Sequence, residues 1–300
     1  MWGKGPSRDS LRPVPESSAT FSLHGRRHKV AKTPRMGILC LIGLCGGTFG
    51  GLLGIGGGSA IAPLLLLLGT LRPAQVSGTT LATVVVISIV GSGAYASLGH
   101  LNLELAWPIA LGSGAGAIGG ALFSNRLSSR LMAGIFLTLL PYLAIKEFWP
   151  EIAAPAIPPN IVSLALLGFA TGIFSGLLGI GGASLVVPSL VAFFFVDHHT
   201  AQGIAMAAAM VDSVAGALTH AQNKNIHYHA LPYLAIPAPS AAVAGAFLSH
   251  SLSVRVLRNL FGTFMVVIWA SMVVRLIKDY VPGRRRDTIV PLQRDLENRT

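Results

Sequence analysis

Charge is what this chain has least of. Asp, Glu, Lys and Arg make up 11% of its 300 residues, against 52% hydrophobic residues and a mean hydropathy of +0.65, whereas an ordinary soluble domain carries about 25% charged residues. So few charges cannot cover a water-facing surface, which excludes a soluble globular domain. Cysteine is nearly missing: Cys40 and Cys45 both lie in the first apolar segment, which rules out a disulfide framework and leaves two small packing residues. Acidic residues are few as well, 11 against 22 basic ones. That surplus suggests nucleic-acid binding until it is located. Residues 1–35 hold eight basic side chains against Asp9 and Glu16, and residues 275–300 hold seven against four. Basic segments flanking apolar helices stay in the cytoplasm and are drawn to the anionic inner leaflet, so the implied partner is a lipid bilayer and no nucleic acid is indicated. Residues 1–35, rich in Ser, Pro and Arg, read as a disordered cytoplasmic tail. A transit peptide has similar composition, but Pro6, Pro13 and Pro15 interrupt the amphipathic helix it needs. The run Arg284–Arg286 and the sequon-like Asn298-Arg299-Thr300 read as part of a second solvated basic tail, 278–300.

What fills the rest is apolar sequence with glycine clusters, and it repeats. Gly47-Thr-Phe-Gly-Gly-Leu-Leu-Gly-Ile-Gly-Gly-Gly-Ser-Ala-Ile-Ala-Pro63 matches Gly172-Ile-Phe-Ser-Gly-Leu-Leu-Gly-Ile-Gly-Gly-Ala-Ser-Leu-Val-Val-Pro188 at eleven of seventeen positions, 125 residues apart. The same offset joins Gly78 to Gly203, Gly120 to Gly245, Leu127 to Leu252 and Arg130 to Arg255. A register held without a gap over that distance marks a duplicated unit. The expected organisation is an all-α, polytopic transmembrane helical bundle of two homologous units, 36–147 and 161–277, joined by the proline-rich linker 148–160.

Each unit reads as five apolar segments, near 36–53, 57–70, 75–99, 105–124 and 130–147 in the first and about 125 residues later in the second. Most reach the roughly 20 residues a helix needs to cross the hydrocarbon core. The second, at about 14 residues, spans only about 21 Å at 1.5 Å per residue. The glycine cluster before it is therefore expected inside the membrane as a hinge between two partial helices. Non-helical backbone survives at that depth only where it is buried in protein or lines a cavity. If the hairpin counts as zero or two crossings and the N-terminal tail is inside, Arg72, Arg126 and Arg130 face the cytoplasm and Glu104 faces outward, as the charge bias requires. Each unit then crosses an odd number of times, the second unit is inverted, and both tails lie on the cytoplasmic side of a multi-pass inner-membrane protein. Arg255 and Arg258 are exceptions, facing outward in this arrangement.

Inverted repeats with interrupted helices recur in secondary transporters, with substrate held near the midplane between the units. The first candidate binding residues are Gly54, Gly56, Gly57, Gly58 and Ser59, and their counterparts Gly179, Gly181, Gly182 and Ser184. Missing side chains let backbone amides approach a ligand, and the positive end of the following helix favours an anion. Tight helix packing is the structural alternative. No Lys follows Gly58 or Ala183, and the spacing misses the dinucleotide fingerprint, so no nucleotide cofactor is indicated. The third segments add Gly78, Thr79, Thr80, Gln202 and Gly203, neutral donors suited to an oxyanion that must be released. For any single hydroxyl, a bond to the preceding turn is the competing account. Asp212 stands inside an apolar helix, where ionisable groups mark proton or ion pathways. It is the candidate for proton or sodium coupling, with His220 as its alternative local partner. His198, His199, His227 and His229 fall at segment ends as interfacial histidines, and no metal site is assigned to them.

These residues resemble the sulfite exporter TauE/SafE family of membrane permeases over about 36–277. The resemblance rests on the paired Gly-Leu-Leu-Gly-Ile-Gly-Gly motifs at Gly51 and Gly176, on Pro63 and Pro188, on Val76-Ser-Gly-Thr-Thr80 and on Gly116-Ala-Ile-Gly-Gly-Ala-Leu122. The second copy departs from the pattern, with Gly203-Ile-Ala-Met206 where the first has Gly78-Thr-Thr-Leu81. The resemblance implies export or uptake of sulfite, organosulfonates or related small organic anions, coupled to an ion gradient. A non-transporting membrane subunit that docks partners is the alternative. A membrane-embedded enzyme would need a convergent nucleophile or metal set that the scattered histidines do not make.

Overall fold

A computed structural model describes residues 36–68, 70–124 and 157–280, together with Pro141, Ala144, Ile145 and Phe148. The two tails, nearly all of the fifth apolar segment and most of the linker lie outside the described residues. The described chain is helical: α1 (Met36–Leu53), α2 (Gly58–Leu68), α3 (Pro73–Ser97), α4 (Leu103–Phe123), α5 (Ile161–Leu178), α6 (Ala183–Phe194), α7 (His198–Gln222), α8 (Leu231–Ala235), α9 (Ala238–Ser251) and α10 (Val254–Tyr280). Their starts follow local chemistry. Asn102 and Asn160 accept the amides of Leu105 and Ser163 at 3.3 and 2.8 Å, Asp197 accepts those of His199 and Thr200 at 3.1 and 3.2 Å, and Gln75 reaches back to the Arg72 amide at 3.2 Å. Each bond satisfies donors that a helix start leaves open.

Seven spans among the described residues are long and apolar enough to cross a membrane: α1, α3, α4, α5, α7, the α8–α9 stretch and α10. One expected segment divides. The fourth segment of the second half is α8 and α9, separated at Ile236 and Pro237. Pro237 and Pro239 both lack an amide proton, and their rings obstruct the preceding turn.

α2 and α6 are even shorter than expected, at 11 and 12 residues, about 16 and 18 Å long at 1.5 Å per residue. Each folds back on the helix before it. A Cβ at Gly46 would strike the Ile61 side chain, and one at Gly50 would strike Gly57, so α1 and α2 run antiparallel around the turn 54–57. Gly54 and Gly179 make these reversals possible: both have left-handed backbone, φ 67° and 70°, which side chains with a Cβ rarely adopt. The turns sit deep. Gly56 and Gly58 pack against Val84, the twelfth of the 25 residues of α3.

Close packing then follows glycine stripes. Gly43, Gly47 and Gly51 of α1 abut the carbonyls of Leu234, Ala238 and Ala242, while Gly168, Gly172 and Gly176 of α5 abut those of Ile109, Ser113 and Ala117. Without a Cβ, helix backbones approach each other closely, the usual association device in lipid. Numbers on both helices rise together, so α1 runs parallel to α9 and α5 parallel to α4. At the centre α3 and α7 run antiparallel, with Gly91 against Met206 and Gly216 against Leu81.

Candidate functional site

The two turns meet in the interior. A Cβ at Gly58 would collide with the Ile180 carbonyl, and one at Gly181 would lie 3.6 Å from the Ile55 carbonyl and 3.8 Å from Val84. α3 and α7 flank this junction: a Cβ at Gly54 would strike Gln202, and one at Gly179 would strike Ser77. The structure thus brings Gly54, Gly56, Gly57, Gly58 and Ser59 together with Gly179, Gly181, Gly182 and Ser184. Gly78 and Gly203 lie elsewhere, at opposite ends of the bundle, under the carbonyls of Asn225 and His100.

A broken helix leaves its last carbonyls without partners, a serious cost where no water is at hand. Side chains of the third helices supply donors. Tyr95 Oη donates to the Gly51 carbonyl at 2.7 Å and Gln202 Nε2 to the Leu52 carbonyl at 3.1 Å, closing the end of α1. At the end of α5, His220 Nε2 bonds the Gly176 carbonyl at 2.9 Å, and the one proton of Ser77 Oγ is shared between the Pro73 carbonyl at 3.2 Å and the Leu177 carbonyl at 3.5 Å. Gln202 Oε1 also accepts from Ser249 Oγ at 3.0 Å, so both ends of its amide group are engaged. His220 takes this role and not that of a partner to Asp212. Sequence reasoning missed the capping function, although Tyr95 and His220 stand 125 residues apart, in the register of the repeat.

The first turn keeps open donors. Among the described residues, no carbonyl accepts from the amides of Gly56, Gly57, Gly58 or Ser59, whereas those of Ile55, Ala60 and Ile61 are bonded at 3.0–3.1 Å. The Ser59 and Thr80 hydroxyls are buried with no hydrogen-bond partner. Thr83, by contrast, donates to the Thr79 carbonyl at 3.0 Å in the competing local manner, and Thr79 Oγ1 accepts the His227 amide at 2.9 Å.

The second turn also keeps the amides of Gly181, Ala183 and Ser184 without a carbonyl acceptor among the described residues, and the Ser175 hydroxyl buried without a partner, but it is partly filled from within. Asp212, fully buried, accepts the Gly182 amide through Oδ2 at 3.1 Å, and its Oδ1 has no partner. Ser184 Oγ donates to the Gly181 carbonyl at 3.0 Å. At the matching place in the first half the neighbour of Gly57 is the Ile87 methyl, 3.0 Å from a Cβ built there. Of the acidic and basic side chains described between 36 and 253, Arg72, Glu104, Asp197 and Lys224 sit in or beside turns, and Asp212 alone is mid-helix.

The histidines divide between the two ends of the bundle. His227 and His229 lie near the start of α3, while His199 stacks on His100 at 5.0 Å past its end. Among the described residues, no group of three or more His, Cys, Asp or Glu is arranged to hold a metal ion. His100 shares a 2.9 Å hydrogen bond with His250, and Asp197 lies nearby. Partial burial, then the charges of His199 and His250, hold the His100 imidazole below its ordinary value, while Asp197 pulls it upward. A histidine whose folded pKa is lowered binds fewer protons folded than unfolded, so this contact is at full strength above pH ~6.5 and weakens as pH falls through that value. Corrected for the pH dependence of intrinsic amide exchange, the protection of residues 98–102 should fall between pH 7 and 5, and His100→Gln should remove most of that dependence.

The family described as sulfite exporter TauE/SafE matches residues 38–272. The chain belongs to this family. TauE/SafE proteins are membrane transporters and not enzymes, and the relatives agree. A probable membrane transporter protein, YunE, of Bacillus subtilis strain 168 is 26% identical over 259 residues, covering 77% of this chain and 92% of its own. A probable membrane transporter protein of Haemophilus influenzae is 27% identical over 259 residues, covering 78% and 97%. One from Methanocaldococcus jannaschii, MJ0441, is 26% identical over 250 residues, covering 77% and 92%. No solved structure matches the chain significantly.

Proposed function

We propose that this TauE/SafE protein is a secondary transporter that moves sulfite, an organosulfonate or another small organic anion across the cytoplasmic membrane, holding it where the two glycine turns meet. The observation that carries this reading is the pair of broken-helix tips abutting in the interior, with unbonded amides and two partnerless hydroxyls beside them. Amides at a helix start attract negative charge, and neutral donors can release it again. Gly54, Gly56 and Gly179 shape the turns, and Gln202 holds the Leu52 carbonyl in place.

The halves 36–147 and 161–277 act as inverted repeats. Exchanged contacts support this: Gly43 meets Leu234 as Gly168 meets Ile109, and Gly91 meets Met206 as Gly216 meets Leu81. Each pair is the other with the halves swapped and the numbers moved by 125, the signature of a two-fold axis. Because the equivalent helices α3 and α7 are antiparallel, that axis lies in the plane of the membrane. Alternating access then comes from one half rocking on the other, with both tails cytoplasmic and with Asp212 coupling anion movement to protons or sodium.

The test is flux in proteoliposomes loaded with labelled sulfite, sulfoacetate or taurine, with and without an imposed pH gradient. At least one anion should move about tenfold faster than through protein-free vesicles and should accumulate when the gradient is present. Folded protein that moves none of them would leave the docking role standing instead.

A further inference from the structure

Near-symmetric halves would give two equivalent anion sites, yet the two turns are not chemically equal. In the first, the Ser59 hydroxyl is 1% exposed, that of Thr80 is fully buried, and neither has a hydrogen-bond partner. Thr80 stands one helical turn before Val84, the residue against Gly56 and Gly58, and so on the face of α3 turned to this site. In the second, the matching serine, Ser184, already donates to the Gly181 carbonyl, the position matching Thr80 is Ala205, and the Gly182 amide is held by Asp212. The position matching Asp212 is Ile87, whose methyl group makes no such bond.

We infer that the protein binds one substrate anion at a time, at the first turn only, and that the chain's own Asp212 carboxyl occupies the second. A buried hydroxyl with no partner is costly, and the cost at Ser59 and Thr80 is relieved when an oxyanion with several acceptor oxygens enters. The second turn is not equivalent: its Gly182 amide faces the Asp212 carboxyl, its serine hydroxyl is spent on the Gly181 carbonyl and Ala205 brings no hydroxyl, although the amides of Gly181, Ala183 and Ser184 stay open. This inference rests on the anion-transport reading above.

The experiment measures sulfite and methanesulfonate binding to purified full-length protein in lipid nanodiscs by calorimetry, alongside the melting temperature without ligand. Binding should saturate at one anion per chain. Ser59→Ala and Thr80→Val should each weaken it about tenfold, the value of one hydrogen bond to a charged ligand. Both should leave the melting temperature of the empty protein unchanged or raised, because each removes an unsatisfied buried group. Ser184→Ala should do the reverse, lowering the melting temperature with affinity held within about twofold. Two anions per chain, or equal losses of affinity at Ser59 and Ser184, would overturn the inference and leave anion transport intact. Absence of binding by the wild-type protein, with no flux in proteoliposomes, would remove both.

Discussion

Gly172→Leu and Gly47→Leu should each abolish recovery of folded protein, whereas Gly93→Leu and Gly119→Leu should be recovered at wild-type levels. At Gly172 even a Cβ would overlap the Ser113 carbonyl and approach Ser113 Cα to 2.6 Å, and at Gly47 it would overlap the Ala238 carbonyl. These obstacles are backbone, so no rotamer change relieves them. The helices must separate along the whole glycine stripe. Overpacking a tight interior costs about 1–3 kcal/mol and sometimes more, and here the loss of contacts between α4 and α5, or between α1 and α9, adds to it. Proteins have only about 5–15 kcal/mol in hand. At Gly93 and Gly119 nothing lies within 4 Å of the added atom, and Leu favours a helix by about 1 kcal/mol over Gly. Fluorescence-detected gel filtration of detergent extracts reads the difference. Equal damage at Gly47 and Gly172 is expected because they occupy matching places in the two halves. Survival of either variant would mean that these interfaces loosen without harm.

Asp212→Asn should remove gradient-driven accumulation of the anion, a loss of about tenfold or more, while anion exchange at equal pH persists. Asparagine keeps an oxygen to accept the Gly182 amide but cannot change its charge. Ionisable groups inside a membrane are costly and mark ion pathways, and a single hydrogen bond to one oxygen leaves this one with little compensation. If the carboxyl exchanges a proton or meets sodium during the cycle, the amide breaks the link between ion and anion. The comparison is between accumulation under a pH or sodium gradient and counterflow without one, normalised to folded protein. Unchanged accumulation in Asp212→Asn would assign the coupling elsewhere. The stability of the variant need not fall, since a neutral group replaces a buried carboxyl.

Much of the fold was legible in the sequence because its causes are local. Low charge and long apolar runs require lipid, and the 11- and 12-residue helices after Gly54 and Gly179 are too short to cross it. Asn102, Asn160 and Asp197 announce the helices they cap. The split of α8 from α9 could also have been read, from Pro237 and Pro239. At the junction of the turns the sequence pointed to the glycines and to Ser59, Thr80 and Asp212, but not to the way they are brought together. Gly78 and Gly203 share their register with the turn residues, yet packing carries them to the ends of the bundle. Gln202 looked like a free amide and is consumed by the Leu52 carbonyl and Ser249.

The sequence by itself determined a helical membrane protein and pointed to a 125-residue repeat with interruptions at its glycine clusters, since periodicity, hydropathy and backbone freedom act over a few turns. Only the tertiary structure decided which open groups meet. Contacts such as Gly58 with Ile180, Tyr95 with Gly51 and Asp212 with Gly182 depend on how helices far apart in the chain are laid together. The same register that makes the halves look alike also conceals that Asp212 stands where the other half has Ile87.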